Sequence, residues 1–277
     1  MEKEIRASLK DAGRIVVKVG TSLLTHENGK MNFTRMDRLA MAISELMNEN
    51  REVVLVSSGA IAVGMGKFNF RRRPLAMGMK QALAAVGQCD LMNIYSRLFA
   101  TYNQIVAQIL LTKTDLDDEI KRKNVMNTFR SLIDIGVLPI VNENDTVSVE
   151  EIKSLIMFGE NDTLSAVVAK LISADLLIIL SDVDGLYDGN PKENSDCHLI
   201  SVVENLDDSI RQFAGGSGTN RGTGGMITKL KAAEIATNAG VNVIIANGKD
   251  PTIILDILRG ENIGTLFIRK DPDNNKS

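Results

Sequence analysis

Two lysines sit where a phosphate could use them. Lys18 lies near the end of the apolar run Arg14 to Val19, two residues before Gly20. Lys229 lies one turn into a helical pattern that opens with Gly222-Thr223-Gly224-Gly225. A glycine-rich loop that opens a helix presents bare backbone N–H groups and the positive end of the helix dipole, which is an anion site. Lys229 could reach the same anion. An ammonium held beside glycine N–H groups suits a transferring phosphoryl group, whose spread negative charge needs positioned cations. Plainer readings stand beside these. The glycine loop, preceded by Gly215-Gly216-Ser217-Gly218, could be a flexible surface loop, and a strand lysine is often an edge solubiliser. The spacing is not that of a P-loop, whose Lys-Ser/Thr follows glycine directly.

Four apolar runs end in chemistry of the same kind. Val19 leads into Gly20-Thr21-Ser22, and Val56 into Ser57-Ser58-Gly59-Ala60. Val141 leads into Asn142-Glu143-Asn144-Asp145, and Leu180 into Ser181-Asp182-Val183-Asp184-Gly185. One such end is ordinary turn chemistry. Four are more than turns require, and open parallel sheets bind ligands at the carboxyl ends of their strands.

The elements that would position these ends alternate between short β-branched runs and helical patterns, the mark of a mostly parallel sheet flanked by helices. Strands are expected at 14–19, 52–56, 104–111, 137–141, 176–180, 241–246 and 265–268. Helices are expected at 34–48, with Thr34 and Asp37 as a capping pair, from Pro74 to about Ala100, at 119–135 ending at Gly136, and at 162–173. Val147 to Phe158 reads as a hairpin or flap. No low-complexity linker and no repeat divides the chain, and the polar tail from Asp271 reads as frayed.

Bulk composition narrows the function. A net charge of -3 argues against a polyanion-binding protein, so no nucleic-acid partner is expected. Cys89 and Cys197 make neither a disulfide framework nor a zinc set, and His26 and His198 are too few for a histidine metal centre. No apolar run is long enough to span a membrane, and the charged start of the chain lacks a signal-peptide core, so a cytoplasmic protein is expected.

Taken in order, Val17-Lys18-Val19-Gly20-Thr21-Ser22, Ser57-Ser58-Gly59-Ala60-Ile61, Lys80-Gln81-Ala82-Leu83-Ala84-Ala85-Val86-Gly87-Gln88, Asn142-Glu143-Asn144-Asp145, Gly159-Glu160-Asn161-Asp162 and Gly222-Thr223-Gly224-Gly225-Met226 resemble the glutamate 5-kinases of the amino acid kinase family, over roughly residues 12–269. The resemblance implies an α/β fold, a three-layer αβα sandwich with a central, mainly parallel sheet. It implies one domain over 1–277, with a glutamate-binding lobe at about 12–170 and an ATP-binding lobe at about 171–270. It implies ATP-dependent phosphorylation of the glutamate side-chain carboxylate, the first step of proline synthesis, with feedback inhibition by proline and a homo-oligomer, dimer or tetramer.

Carried over residue by residue, the resemblance makes Lys18 and Lys229 flank the transferred phosphoryl group, with Asp162 holding both lysines. Gly20 and Thr21 would donate to phosphate oxygens. Ser58, Asn142, Asp145 and Asn161 would hold glutamate, with Asp145 on its α-ammonium. Ser181, Asp182 and the segment Thr223, Gly224, Gly225, Met226, Ile227, Thr228 and Lys229 would hold ATP. Mg²⁺ would ride mainly on phosphate oxygens, without a protein metal site. On local grounds Asp162 could simply cap its helix, Asn142 and Asp145 could form turns, Arg71-Arg72-Arg73 reads as a solvated or subunit-contact segment, and His198 as a surface residue.

The chain departs from the family pattern in three places. Ser154-Leu155-Ile156-Met157 stand as an insertion, Glu160 replaces an expected Asp, and Ile227 replaces a small residue. The RNA-binding-like domain that many relatives carry at the C-terminus has no counterpart in this sequence. A kinase acting on acetylglutamate, aspartate or UMP remains an alternative, as does a non-catalytic nucleotide sensor. The latter would not need two lysines and an organising carboxylate. A nicotinamide-dependent oxidoreductase is weaker, because the first strand lacks the Gly-x-Gly-x-x-Gly turn.

Overall fold

A computed structural model describes residues 2–26, 29–70, 72–147, 161–189, 191, 196–214 and 225–270. The first half runs α1 (Glu2–Ser8), β1 (Arg14–Val19), α2 (Thr21–Leu24), α3 (Phe33–Asn48), β2 (Glu52–Ser57), α4 (Ala60–Lys67), α5 (Met77–Thr101), β3 (Val106–Leu111), α6 (Lys113–Asp117), α7 (Glu119–Asp134) and β4 (Leu138–Glu143). The second runs α8 (Asn161–Leu171), β5 (Leu176–Ser181), β6 (Val202–Val203), α9 (Asp208–Ala214), α10 (Met226–Asn238), β7 (Asn242–Asn247), α11 (Ile253–Leu258) and β8 (Thr265–Phe267).

Among the described residues, eight strands form one sheet in the order β3-β4-β2-β1-β5-β7-β8-β6. All neighbours are parallel except β7 and β8. Helices cover both faces, so the central strands are apolar on both. Every residue of β5 is buried, and each such aliphatic side chain contributes roughly 1.5–3 kcal/mol of burial. The two faces make two cores. Ile15, Val17 and Val19 pack with Met36 and Leu39 of α3, Leu91 and Tyr95 of α5, and Ile254 of α11. Val16 packs with Phe129 of α7, Leu164 of α8 and Leu230 of α10. The result is the expected three-layer αβα sandwich.

β1 is central. The chain leaves it for β2 on one side and later returns to β5 on the other. This reversal falls at the carboxyl ends of β1 and β5, the place where such sheets bind ligands.

The expected strands form, with shifted bounds, and the structure adds the two-residue β6. The cap of α3 is Asn32, whose Oδ1 accepts from the Arg35 N–H at 3.1 Å, so Thr34 and Asp37 are not a capping pair. Asp37 instead accepts from the Tyr102 hydroxyl. Pro74 lies three residues before α5 rather than opening it, because Met77 is the first helical residue. The expected flap, the Ser154–Met157 insertion, Glu160, Arg71 and the glycines from 215 to 224 lie outside the described residues.

Candidate active site

Strand parity places the first lysine. Successive side chains of β1 alternate between faces, so Lys18 shares the face of Val16, the one covered by α8 and α10. There its Nζ lies 2.5 Å from Asp162 Oδ1. Lys229, in the first turns of α10, brings its Nζ to 3.3 Å from Asp162 Oδ2. Thr228 Oγ1 donates to the same oxygen at 3.0 Å. Asp162 is 1% exposed, Lys18 7% and Lys229 6%. Burial by itself would push the Asp162 carboxyl up, but the two ammonium groups and the bonds from Lys18 and Thr228 outweigh it and hold the carboxyl below its ordinary range. Asp162 sits within α8 with its carboxylate aimed across at α10. Asp162 thus holds the ammonium groups of Lys18 and Lys229 together at the carboxyl edge of the sheet.

A polar relay adjoins this cluster. Asn161 Nδ2 donates to Ser58 Oγ at 2.6 Å and to Asn142 Oδ1 at 3.0 Å. Asn142 Nδ2 donates to Gln88 Oε1 at 2.9 Å, and Asn142 Oδ1 also accepts from the Glu143 N–H. Asn142 is a buried residue of β4, not a turn former. With both amide hydrogens of Asn161 committed, its Oδ1 is buried and has no hydrogen-bond partner among the described residues. Ser58 accepts from Asn161 and keeps its own hydroxyl proton to donate. An unsatisfied buried acceptor is costly, and here it lies beside a donor where a small polar ligand could satisfy it.

Asp145 occupies the turn after β4 and, with Gln88, Ala60 and Ala84, lines a small cavity of about 10 Å³. Burial pushes its carboxyl up, and the Arg73 charge partly offsets this. Arg72 and Arg73 are exposed, and so is His198. Gly20 and Thr21 pass from β1 into α2, and Thr21 lies against Gly59. Ser181 ends β5 beside the end of β1 and donates to the exposed Asp182 at 3.2 Å. Gly225 accepts from Thr228, Met226 packs on the apolar core, and Ile227 is 63% exposed. Thr223 and Gly224 lie outside the described residues. A larger groove of about 470 Å³, between α3 and α11, contains none of these groups.

Comparison with known proteins decides the family. Residues 13–247 match the model of the amino acid kinase family. The chain belongs to that family. The kinase is 53% identical over 266 residues to a glutamate 5-kinase of Clostridium perfringens, covering 96% of this chain and 99% of that one. It is 52% identical over 266 residues to one of Listeria monocytogenes, covering 96% of each. Carbamate kinase from Giardia lamblia, bound to AMP-PNP, shares the fold at 16% identity, with a TM-score of 0.65 over 94% of this kinase and all of that chain. No helix among the described residues is long and apolar enough to cross a membrane.

One residue of the kinase's site was not assigned from sequence, and a second makes a contact beyond its expected one. Gln88 lies inside a quoted motif, but no spacing links α5 to the end of β4. Thr228 was expected at ATP, yet its hydroxyl reaches Asp162.

Proposed function

We propose that this kinase transfers the γ-phosphoryl group of ATP to the side-chain carboxylate of L-glutamate, giving L-glutamyl 5-phosphate and ADP, the first step of proline biosynthesis. The carrying observation is the buried Lys18–Asp162–Lys229 cluster beside the Asn161–Ser58 pair. The names of relatives more than half identical support the choice of acceptor.

A glutamate carboxylate oxygen forms the new bond to the γ-phosphorus while the bond from phosphorus to the β–γ bridging oxygen breaks. The electron pair leaves with ADP. The nucleophile is already an anion, so no proton moves and no general base is needed. Lys18 and Lys229 neutralise the equatorial oxygens, and Asp162 fixes both ammonium groups before substrate arrives, which is electrostatic preorganisation. Gly20 and Thr21 donate to phosphate oxygens. Ser181, Asp182 and residues 223–229 hold the nucleotide. Ser58 donates to glutamate, while Asn161 Oδ1 and Asp145 accept from its ammonium. Asn142 holds Asn161 in place. Mg²⁺ bound through phosphate oxygens suits this donor set of lysines and hydroxyls, and when bound it lowers the charge on the triphosphate.

The division into a glutamate lobe at about 12–170 and an ATP lobe at about 171–270, inhibition by proline, a dimeric or tetrameric assembly and a cytoplasmic site belong to the same reading. The lobes, the inhibition and the assembly rest on the family resemblance, and the cytoplasmic site on composition and hydropathy patterning.

The test measures ADP release with glutamate, aspartate, acetylglutamate and UMP, with hydroxylamine present to trap acyl phosphates as hydroxamates. Glutamate alone should give hydroxamate in step with ADP. Faster turnover of another acceptor would overturn the proposal, and ATP binding without ADP release from any of them would favour a sensor.

A further inference from the structure

We infer that Gln88 is a positioning residue for the acceptor half of this active site. It acts through Asn142 to set the orientation of Asn161 and Ser58. The inference rests on the phosphoryl-transfer reading above but assigns a residue that the reading does not use.

Amide polarity links these residues. Asn142 presents an NH₂ on one side and an oxygen on the other. Its NH₂ faces Gln88 Oε1, and its oxygen faces the Glu143 N–H and the Asn161 NH₂. A half-turn of the Asn142 amide would set oxygen against oxygen at Gln88 and NH₂ against NH₂ at Asn161. The Glu143 backbone N–H, which can only donate, sets the side on which the Asn142 oxygen stands, and Gln88 Oε1 holds the NH₂ on the other side. The direction matters at the far end. Only with Asn142 oxygen toward it does Asn161 donate both ways and leave its own oxygen unpaired. Reversal would make Asn161 an unsatisfied donor, the wrong partner for an ammonium.

Gln88 is a buried residue of a long helix. It is 8% exposed on α5. Two turns further along α5, the Tyr95 hydroxyl shares a 2.8 Å hydrogen bond with Ser57. Positions seven apart lie on one helix face, so one face of α5 supports the ends of both β2 and β4. Asn142 faces α5, whereas Asn161 belongs to α8 on the other side of the sheet. The relay thus passes around the carboxyl edge from one helical layer to the other.

The experiment compares Gln88→Met, which keeps length but removes the acceptor, with Gln88→Asn, which keeps the amide but withdraws it. Gln88→Met should raise the acceptor KM by about tenfold to a hundredfold, the loss expected when one buried amide is left unpaired. The ATP KM should stay within about twofold, since the relay lies on the acceptor side. Gln88→Asn should show a smaller rise of the same kind, and it carries the test if the Met variant does not fold. In the background of Asn142→Ala, Gln88→Met should add almost nothing, because the two residues act as one unit. Side-chain amide NMR gives a readout without turnover: the Asn161 NH₂ resonances should move in both Gln88 variants. An unchanged acceptor KM, equal rises for both substrates, full additivity with Asn142→Ala, or unmoved Asn161 resonances would each overturn the inference. If wild type prefers an acceptor other than glutamate, the glutamate assignment fails while the Gln88 effect is read on that acceptor.

Discussion

Gly87 of α5 lies so close to Ala60 of α4 that a Cβ there would stand 1.8 Å from the Ala60 carbonyl oxygen. Gly64 makes the reciprocal approach, with a virtual Cβ 2.1 Å from the Leu83 carbonyl oxygen. The two helices therefore meet backbone to backbone. Because α4 starts directly after Ser58 and Gly59, this contact sets where Ser58 stands. Gly59 supports the turn with a φ of 108°, open to glycine at low cost. Gly87→Ala should lower stability by ~3 kcal/mol through overpacking and raise the glutamate KM. Urea unfolding with kinetics checks this, and a variant as stable as wild type would mean that the helices separate freely.

Lys18→Ala and Lys229→Ala should each reduce kcat by roughly 10²- to 10³-fold, the cost of deleting one transition-state donor. In each variant Asp162 keeps the other lysine and Thr228, so the far-UV circular dichroism should match wild type. Activity within a few-fold of wild type for either variant would remove that lysine from the reaction.

The Asp162 carboxyl is held below the ordinary carboxylate range in the folded state by the two lysines and Thr228. A depressed folded pKa contributes stability that is present above the unfolded pKa and lost as pH falls through the folded one. Stability should therefore decline as pH drops below about 4. Asp162→Asn should flatten this acid limb. Denaturant midpoints measured between neutral pH and the acid limb test it, and identical slopes for both proteins would contradict the assignment.

Asp145 has the opposite sign. Burial raises its pKa, so its negative charge is already held at a cost near neutrality. If Asp145 pairs with the substrate ammonium, glutamate KM should rise as pH falls from neutral, with a midpoint above the ordinary carboxylate value. Asp145→Ala should raise glutamate KM far more than ATP KM and abolish that pH dependence. Equal effects on both substrates would make Asp145 structural only.

Arg6 offers a contrast outside the site. It is 2% exposed, and its guanidinium donates to the carbonyls of Ser201 at 2.6 Å, Ile263 at 3.1 Å, Gly264 at 3.2 Å and Glu261 at 3.4 Å. It ties α1 to the segments flanking β6 and β8. Arg6→Met should cost about 3 kcal/mol by leaving buried carbonyls unpaired, with kcat per folded molecule unchanged. A matching loss of kcat without a drop in stability would contradict a purely structural role.

The sequence by itself determined the sandwich and the chemistry at its strand ends. Apolar runs such as Leu176–Leu180 need cover on both faces whatever their neighbours are. The polar stops after Val19, Val56, Val141 and Leu180 follow directly in the chain, so both signals are local. Asn32 capping α3 and the late start of α5 after Pro74 were misread because nearby residues offered equally good local signals. Only the tertiary structure decided the partnerships. Asp162 meets Lys18 and Lys229 across three elements, and Gln88 reaches Asn161 through Asn142 around the sheet edge. Those contacts depend on strand order, strand parity and the Gly87–Ala60 approach, all of which arise from packing between distant segments and none from spacing along the chain.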